Sequence, residues 1–240
     1  MLKRRLKSSQ FIVGLAHAAR GLTADFRAVA GLVKRRHQID IYLGAHDVKK
    51  LQLGTSNSVL QGWLNTDITP NHPSVVYLNA TRHFPFCDDT FDYIMSEHMI
   101  EHVEHEDAKF MLQECFRVLK PGGCLRLATP DLKVLLALRA GEKTQRDYID
   151  WAIGRFMPEV RECKDVFVIN NFFRSWGHRF LYDEATLRHT AHASGFRDVR
   201  FYKPGDSQDP MLRNIESHGK EITEEINQFE TIVLEGRKGK

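Results

Sequence analysis

The sequence has few cysteines, little excess charge and no long apolar run, and each shortage excludes a class of protein. It holds 4 cysteines in 240 residues and no Cys-x-x-Cys pair, so we expect a reduced, cytoplasmic protein rather than a disulfide-stapled secreted domain. The formal net charge is only +3, which predicts no nucleic-acid partner. No apolar run approaches the roughly 20 residues that span a bilayer. The composition, 42% hydrophobic and 27% charged, is that of an ordinary globular protein.

The N-terminal region is basic and carries no chemical motif. Residues 3–7 read KRRLK and residues 34–36 read KRR, with a short apolar run over 11–16 between them. That run is shorter than the roughly 7–15 residues of a signal-peptide core. We interpret residues 1–47 as a helical extension whose amphipathic helix has two alternatives. It packs within the protein or in a homodimer, or it makes a peripheral contact with an anionic membrane.

From residue 48 onward, short apolar runs alternate with helical segments, which predicts a doubly wound and largely parallel sheet. The runs rich in β-branched and aromatic residues are the predicted strands: 50–54, 63–68, 74–80, 91–96, 123–130, 198–202 and 229–237. Because such sheets bind ligands at the carboxyl ends of their strands, we expect the functional residues in the loops that follow them.

Two helices are predicted together with their ends. The segment 107–120 places four apolar residues on one helical face: Leu112, Cys115, Phe116 and Leu119. A Pro-Gly-Gly turn stops that helix. A second helix begins after Asp183, a suitable N-cap, and ends at Gly195.

Two long stretches show no regular pattern. Residues 141–182 are rich in aromatic side chains, and residues 204–228 are polar. Long insertions in a compact domain often serve as lids or binding loops. We therefore predict that both stretches are irregular insertions on the acceptor side of the site.

Three segments of the chain form a specific set when taken in order. They read LQLGTSNSVLQGWLNTDI, FPFCDDTFDYIMSEHMIEHV and ECFRVLKPGGCLRLATPDL. With these segments the chain resembles class I S-adenosylmethionine-dependent methyltransferases over about residues 48–240. Two later segments, VINNFFRSWGHRFLYDE and DPMLRNIESHG, resemble the methyltransferase-like proteins associated with bacterial surface-polysaccharide biosynthesis.

The resemblance implies a fold, a cofactor and a reaction. The fold is an α/β, Rossmann-like, seven-stranded sheet, mostly parallel with its last strand antiparallel, and with helices on both faces. The cofactor is S-adenosyl-L-methionine. The implied reaction is methylation of a small-molecule or glycan acceptor, with O-methylation of a sugar, glycan or sugar phosphate as the expected case. The alternative is a catalytically inactive protein that keeps this fold for binding or assembly.

The resemblance also implies which residues bind the cofactor. In chain order they are Gly54, Thr55, Ser56 and Asn57 in the loop after the first strand, Asp67 at the ribose, Asn79 and Ala80 at the adenine, and Ser96 and Glu97 at the methionine end. From chemistry alone, a ribose diol needs an acceptor of two hydrogen bonds, and a carboxylate is one. The alternative for Asp67 is a turn residue ahead of Thr69-Pro70.

The first of these loops departs from the pattern of its relatives. They usually carry Gly-Cys-Gly where this chain has Gly54-Thr55-Ser56. Glycine at the third position permits a positive φ and a close backbone approach to the cofactor, and serine does so less readily. A left-handed Asn57 is one compensation, and loss of cofactor binding is the alternative.

Residues 96–107, SEHMIEHVEHED, are dense in histidine and glutamate. His98-x-x-Glu101-His102 matches the inverzincin zinc pattern and resembles metal-binding segments of some methyltransferases. A zinc protease needs a long helix and a third, distant ligand, whereas here a strand precedes the motif. We therefore predict no metal.

A catalytic role for the same residues follows from the proton of a hydroxyl acceptor, which a histidine is suited to remove. We favour His98, with Glu101 and His102 as alternates that share its face if the segment is helical. Hydrogen-bonded packing is the other alternative. His178, in the aromatic stretch, is a fourth catalytic candidate. Weaker candidates are Asp131, which otherwise caps a helix, Arg174, Arg179, Arg213, Glu216 and His218.

Overall fold

A computed structural model describes residues 31–239, and over that range its strands form one mixed sheet. The strands are β1 Lys50–Leu53, β2 Leu64–Asp67, β3 Val76–Tyr77, β4 Phe91–Glu97, β5 Leu119–Pro130, β6 Arg197–Tyr202 and β7 Thr231–Arg237. Their order is β3-β2-β1-β4-β5-β7-β6. β1 to β5 pair in parallel, and β7 runs antiparallel between β5 and β6. The predicted seven-stranded sheet with an antiparallel last strand is confirmed.

Helices join the strands and differ slightly from the predicted ones. They are α1 over residues 31–45, α2 His105–Val118, α3 Leu132–Ala137, α4 Lys143–Phe156, α5 Asp165–Arg174, α6 Glu184–Ala193 and α7 Glu224–Glu230. α2 ends earlier than predicted because Leu119 already pairs with Phe91 of β4. α6 has its predicted ends, since the Asp183 side chain accepts a hydrogen bond from the Thr186 N–H and Gly195 has a φ of 107°.

The main core lies between the sheet and the helices that cover it. Its centre is fully buried and includes Leu51, Ile94 and Leu125 of adjacent strands. α1 joins this core, because Ile39 and Tyr42 are buried in it and the Tyr42 hydroxyl donates to the Lys50 carbonyl at 2.9 Å. The predicted membrane or dimer contact involves mainly residues 1–30, which lie outside the described residues. No helix in the described part of the chain is long and apolar enough to cross a membrane.

The aromatic stretch 141–182 is not irregular, so that prediction was wrong. It contains α4 and α5, which build a second core with α3. The α4 residues buried there recur at i, i+1, i+4 and i+5, which is one helical face: Tyr148, Ile149, Ala152 and Ile153. The stretch is a small helical subdomain placed over the carboxyl ends of the strands.

The polar stretch 204–228 is irregular over most of its length, and a buried arginine is one of the residues that attach it to the sheet. Arg126 of β5 is fully buried and donates to Glu216 at 2.5 Å, to Glu235 of β7 at 2.6 Å and to the Asp206 carbonyl at 2.8 Å. Glu216 is therefore a structural anchor, although its residue type had suggested a place near the acceptor.

Candidate active site

The loop after β1 is a tight turn held against β2. Gly54 has a φ of 68°, and a Cβ on it would lie 2.5 Å from Cγ of Met99. The Thr55 N–H donates to the Thr66 carbonyl at 3.0 Å, and the Ser58 N–H donates back to the Thr55 carbonyl at 2.8 Å. Only glycine fits the first position of this turn, as the sequence pattern predicts.

Ser56 takes the left-handed conformation that the missing glycine would have taken. Its φ is 47°, and Asn57 is not among the positive-φ residues of the described chain, so the compensation predicted at Asn57 was wrong. The Ser56 N–H donates to Oδ2 of Asp67 at 2.9 Å, which fixes the conformation. Asn57 instead accepts a hydrogen bond from Asn71 at 2.8 Å on the exposed side. The loop therefore has the left-handed backbone conformation that glycine favours, although the residue is serine.

Asp67 is the last residue of β2, and its carboxylate accepts hydrogen bonds from the loop after β1 and from the turn that follows β2. Its Oδ1 accepts from the Thr69 N–H at 2.8 Å, while Oδ2 accepts from Ser56. Each carboxylate oxygen has two lone pairs, so each keeps one for a ligand. The two interpretations of Asp67 are therefore compatible.

The predicted adenine residues follow β3 and are engaged locally. Oδ1 of Asn79 accepts from the Thr81 N–H at 2.9 Å and from the Thr81 hydroxyl at 2.8 Å, while Ala80 packs against the main core. At the methionine end, Ser96 is 1% exposed and its hydroxyl has no partner in the described structure. Thr55 is likewise buried with an unpartnered hydroxyl. Buried hydroxyls without partners are rare in native proteins and point to a ligand or ordered water.

Glu97, the last residue of β4, holds the polar stretch 204–228 in place. Its carboxylate accepts from the Ser217 N–H at 2.9 and 3.0 Å, from the Ser217 hydroxyl at 2.8 Å and from the His218 N–H at 2.9 Å. Glu97 borders the cavity described below, but its direct partner is the protein backbone.

His98 and Glu101 form a buried hydrogen-bonded pair beside the cofactor loop. His98 leaves β4 with a φ of 46°, and its Nδ1–H donates to Oε1 of Glu101 at 3.1 Å. Burial disfavours the charged imidazole, but the bond to Glu101 and the nearby carboxylates outweigh it, so the pKa of His98 is raised. Burial likewise opposes ionisation of Glu101, yet the bond from His98 prevails and the pKa of Glu101 is lowered. The pair fixes the tautomer of the neutral ring in which Nδ1 carries the proton and Nε2 is the accepting nitrogen.

Three further contacts hold this pair. The Thr129 hydroxyl donates to Oε2 of Glu101 at 3.0 Å. Nε2 of His98 lies 3.3 Å from the Thr231 hydroxyl, and the His98 ring packs at a tilt of 35° against His218 with centroids 3.9 Å apart. These contacts come from three elements distant in sequence, so the pair is held by the whole fold.

His102 and His178 meet at the outer side of the pair. The helical turn of this segment begins only at Ile100, so His98 and His102 do not share a helical face as predicted. His102 instead meets His178, with ring centroids 5.0 Å apart. The Nδ1–H of His178 donates to the Phe172 carbonyl at 2.7 Å. Burial lowers the pKa of His178 despite the nearby Glu101.

One cavity of about 470 Å³ connects these parts. Of the predicted site residues, the cavity wall contains Gly54, Thr55, Ser56, Glu97, His98, Glu101, His102 and His178, and it does not contain Asn57, Asp67, Asn79, Ala80 or Ser96. The wall also has residues that sequence reasoning did not assign to the site: Arg155, Phe156, Phe172, Trp176, Ser217, Glu221 and Ile222. Their only signal was their position in the two predicted insertions.

Comparison with known proteins agrees with this geometry. Residues 29–127 match the family model described as a methyltransferase domain. The matched segment includes the Gly54–Ser56 loop, Asp67 and the His98–Glu101 pair. This match over 99 of the 240 residues agrees with the class I S-adenosylmethionine-dependent methyltransferase that the motifs predict, and S-adenosylmethionine is the cofactor of such domains. Comparison with curated proteins gives no match.

Several solved structures are similar to this chain at low identity. A SAM-dependent methyltransferase from Archaeoglobus fulgidus is 17% identical, with 88% of this chain and 94% of that chain covered and a TM-score of 0.49. An S-adenosylmethionine-dependent methyltransferase from Mesorhizobium loti is 15% identical over 80% and 91% of the two chains, with a TM-score of 0.46. Haemonchus contortus phosphoethanolamine N-methyltransferase 2, solved with S-adenosyl-L-methionine, is 13% identical over 85% and 53%, with a TM-score of 0.40. Similarities this low carry no conclusion about the acceptor.

Proposed function

We propose that this protein transfers a methyl group from S-adenosylmethionine to a hydroxyl oxygen of a sugar, glycan or sugar phosphate. The observation that carries the proposal is the single cavity that joins the Gly54–Ser56 loop to the His98–Glu101 pair. A cofactor loop, a proton acceptor and an acceptor-sized space are thus within one enclosure. That combination is what transfer to a hydroxyl requires.

The residues around the loop suit the cofactor. Two buried hydroxyls, those of Thr55 and Ser96, lack partners in the described structure, and Asp67 keeps a free lone pair on each oxygen. Gly54 and Ser56 hold the loop backbone in the open, left-handed form. When bound, S-adenosylmethionine supplies an electrophilic methyl group on a sulfonium. We assign Asp67 to the ribose hydroxyls and the loop backbone with Thr55 and Ser96 to the rest of the cofactor.

The residues of the chain supply the proton transfer and the positioning. The Nδ1–H of His98 is directed to Glu101, so Nε2 is the atom that takes the proton of the acceptor hydroxyl. Glu101 keeps the imidazole in that tautomer and stabilises its protonated form. Positioned general bases of this kind contribute roughly 10²–10⁴-fold in rate.

The aromatic side of the cavity suits an acceptor with a flat, weakly polar face. The Trp176 ring lies edge-on to Phe156 at 4.9 Å and to Phe172 at 5.5 Å between centroids. The C–H face of a sugar ring packs well on such a surface. Arg155, on the same wall, supplies a cation for a phosphate or carboxylate substituent. The sugar class follows from this wall together with the sequence resemblance.

Calorimetry with S-adenosylmethionine and S-adenosylhomocysteine tests the cofactor assignment. We expect saturable binding to the native chain, weakened at least tenfold in Asp67→Ala and unchanged in Asp147→Ala, an exposed aspartate of α4 that pairs with Lys143. No binding at millimolar ligand would refute the enzyme. Equal binding by native protein and Asp67→Ala would refute the ribose assignment.

Turnover tests the acceptor side. His98→Gln should keep cofactor affinity and lose transfer to sugar hydroxyls by about 10²-fold or more. Trp176→Ala should raise the acceptor KM by roughly tenfold, the equivalent of about 1.4 kcal/mol. Phe173→Ala is the matched control, since Phe173 is 51% exposed and is not part of the cavity wall. Equal KM values for the two variants would refute the stacking surface.

A second candidate is a methyltransferase fold kept only for binding or assembly. The observation that favours it is Glu97, whose carboxylate is occupied by Ser217 and His218 rather than directed to a ligand. The same calorimetry separates the two candidates, because an inactive protein of this kind would bind neither S-adenosylmethionine nor S-adenosylhomocysteine.

A further inference from the structure

The fold assembles a set of metal-ligating side chains that the sequence alone did not complete. The pair Glu101 and His102 lacked a third, distant ligand, and the structure supplies it in His178. One ligand atom from each residue lies within 4.8 Å of the others. We propose that Glu101, His102 and His178 bind a divalent first-row transition-metal ion, with Zn²⁺ as the reference ion.

His178 is oriented as a metal ligand is. Its Nδ1–H donates to the Phe172 carbonyl at 2.7 Å, so the lone pair of the neutral ring is on Nε2. Metal-binding histidines usually donate their other N–H to a carbonyl or carboxylate in this way, which fixes both tautomer and ring orientation. Phe172 belongs to α5, whose inner face is buried in the second core. The Phe172 carbonyl that accepts this bond is therefore held in place.

Glu101 is likewise held by an outer layer of hydrogen bonds. Its side chain is completely buried, Oε1 accepts from His98 and Oε2 accepts from the Thr129 hydroxyl. Each oxygen keeps one lone pair for a ligand. A carboxylate that is buried beside two imidazoles gains most from a cation at that point, because burial of an unbalanced negative charge is costly.

The spacing requires only a small adjustment. Ligand atoms around tetrahedral zinc, at about 2.0–2.2 Å from the ion, lie roughly 3.4 Å from one another. His102 is exposed and can rotate toward the other two ligands without disturbing the core. Two imidazoles and one carboxylate leave coordination positions open, which is the arrangement of catalytic rather than structural sites.

The open side of this set faces the cavity, since all three residues are part of its wall. An ion there would hold acceptor oxygens next to His98. That use of the ion rests on the proposed function, whereas binding of the ion does not. The two are tested separately, because metal affinity and S-adenosylhomocysteine affinity are independent measurements.

The test is calorimetry with Zn²⁺ on the full chain, prepared without a histidine tag and stripped by chelator. We expect one site with a dissociation constant in the micromolar range or below. His178→Ala and His102→Ala should each weaken it by about tenfold or more. His189→Ala is the matched control, an exposed histidine on α6, and should bind as the native chain does. Co²⁺ gives a second readout, a visible d–d spectrum that both ligand variants should lose.

The result of each experiment supports or overturns the proposed metal site. Thermal unfolding of each stripped variant, compared with the stripped native chain, shows that a loss of metal is not a loss of fold. Absence of saturable binding by the folded native chain would overturn the site. So would binding that survives both variants, which marks adventitious zinc on other histidines, or a loss confined to one of them.

Discussion

Replacing Gly54 by alanine tests whether the loop after β1 requires the positive φ and the small size of a glycine. Gly54 is the residue at which the chain turns out of β1 with a φ of 68°. An alanine Cβ there would lie 2.5 Å from Cγ and 2.8 Å from Cβ of Met99. Real Cβ atoms do not approach this closely, so either the loop or the segment after His98 must move.

Two effects add in the expected cost. A left-handed conformation costs a non-glycine residue about 1–2 kcal/mol, and overpacking of a well-filled site costs about 1–3 kcal/mol. We therefore expect Gly54→Ala to lower the free energy of unfolding by roughly 2–5 kcal/mol. Because Met99 is adjacent to His98, movement there also disturbs the cavity, and we expect a weaker affinity for S-adenosylhomocysteine.

A double-mutant cycle in urea separates these effects. Met99→Ala removes Cγ, the nearer clashing atom, but neither Cβ nor the φ cost, so the double variant should recover part of the overpacking cost, about 1 kcal/mol or more relative to additivity. Gly154→Ala in α4 is the control, because nothing lies within 4 Å of its built Cβ and it should be neutral or mildly stabilising. Unfolding of Gly54→Ala within about 0.5 kcal/mol of native, or additivity in the cycle, would refute the reasoning.

Three further changes probe the loop after β1, a buried carboxylate of α2 and the anchor of the polar stretch. Ser56→Gly relieves left-handed strain but gains chain entropy when unfolded, so its unfolding free energy should stay within about 1 kcal/mol of native with S-adenosylhomocysteine affinity kept. Burial would raise the pKa of Glu114, but the bonds from Arg117 and the Phe84 N–H outweigh it and lower that pKa. The ionised Glu114 therefore stabilises the fold above its unfolded pKa, about 4.3, and this stabilisation is lost as the pH falls through the folded pKa. Glu114→Gln should lower the free energy of unfolding by about 1–3 kcal/mol at pH 7 and by less at pH 4. Arg126→Met leaves two buried carboxylates unpaired and should cost about 3–5 kcal/mol in urea unfolding.

Each of these has an outcome that contradicts it. A Ser56→Gly variant that loses the cofactor would show that the serine side chain, not the backbone, makes the site. A Glu114→Gln deficit that stays constant from pH 7 to pH 4 would remove the linkage to its carboxyl. Arg126→Met as stable as the native chain would mean that the charge cluster has no net structural role.

The strands could be predicted from the sequence because each is a short apolar run with a turn after it. The subdomain of α4 and α5 could not, and in α4 the reason is that the buried positions are spread among charged residues. Tyr148 and Ile149, for example, are flanked by Asp147 and Asp150. Its apolar face is stabilised by tertiary packing on α3 rather than by local propensity.

Some residues of the candidate site could likewise be predicted from the sequence, and others could not. Gly54 and the His98–Glu101 pair could be found because they follow strands, where the topology of a parallel sheet concentrates ligands. Trp176 and Ser217 could not be placed, since their proximity depends on how two insertions fold back over the sheet, and the contact of the candidate His178 with His102 depends on the same folding. Residue type alone also misplaced Glu216, because a buried arginine of the sheet competes for it.

The strained residues bear on whether the altered loop is a functional loss. Ser56 and His98 are both non-glycine residues with positive φ, 47° and 46°, and each lies in the segment that follows a central strand, β1 or β4. Such conformations cost of order 1–3 kcal/mol each and persist only where the surroundings over-determine them, most often at functional sites. Ser56 is held by Asp67, and His98 by the Ala128 carbonyl, which its N–H reaches at 2.9 Å. A loop that had lost its ligand would have no reason to keep this strain after losing its glycine. The serine therefore keeps a glycine-type backbone in the loop that we propose binds the cofactor.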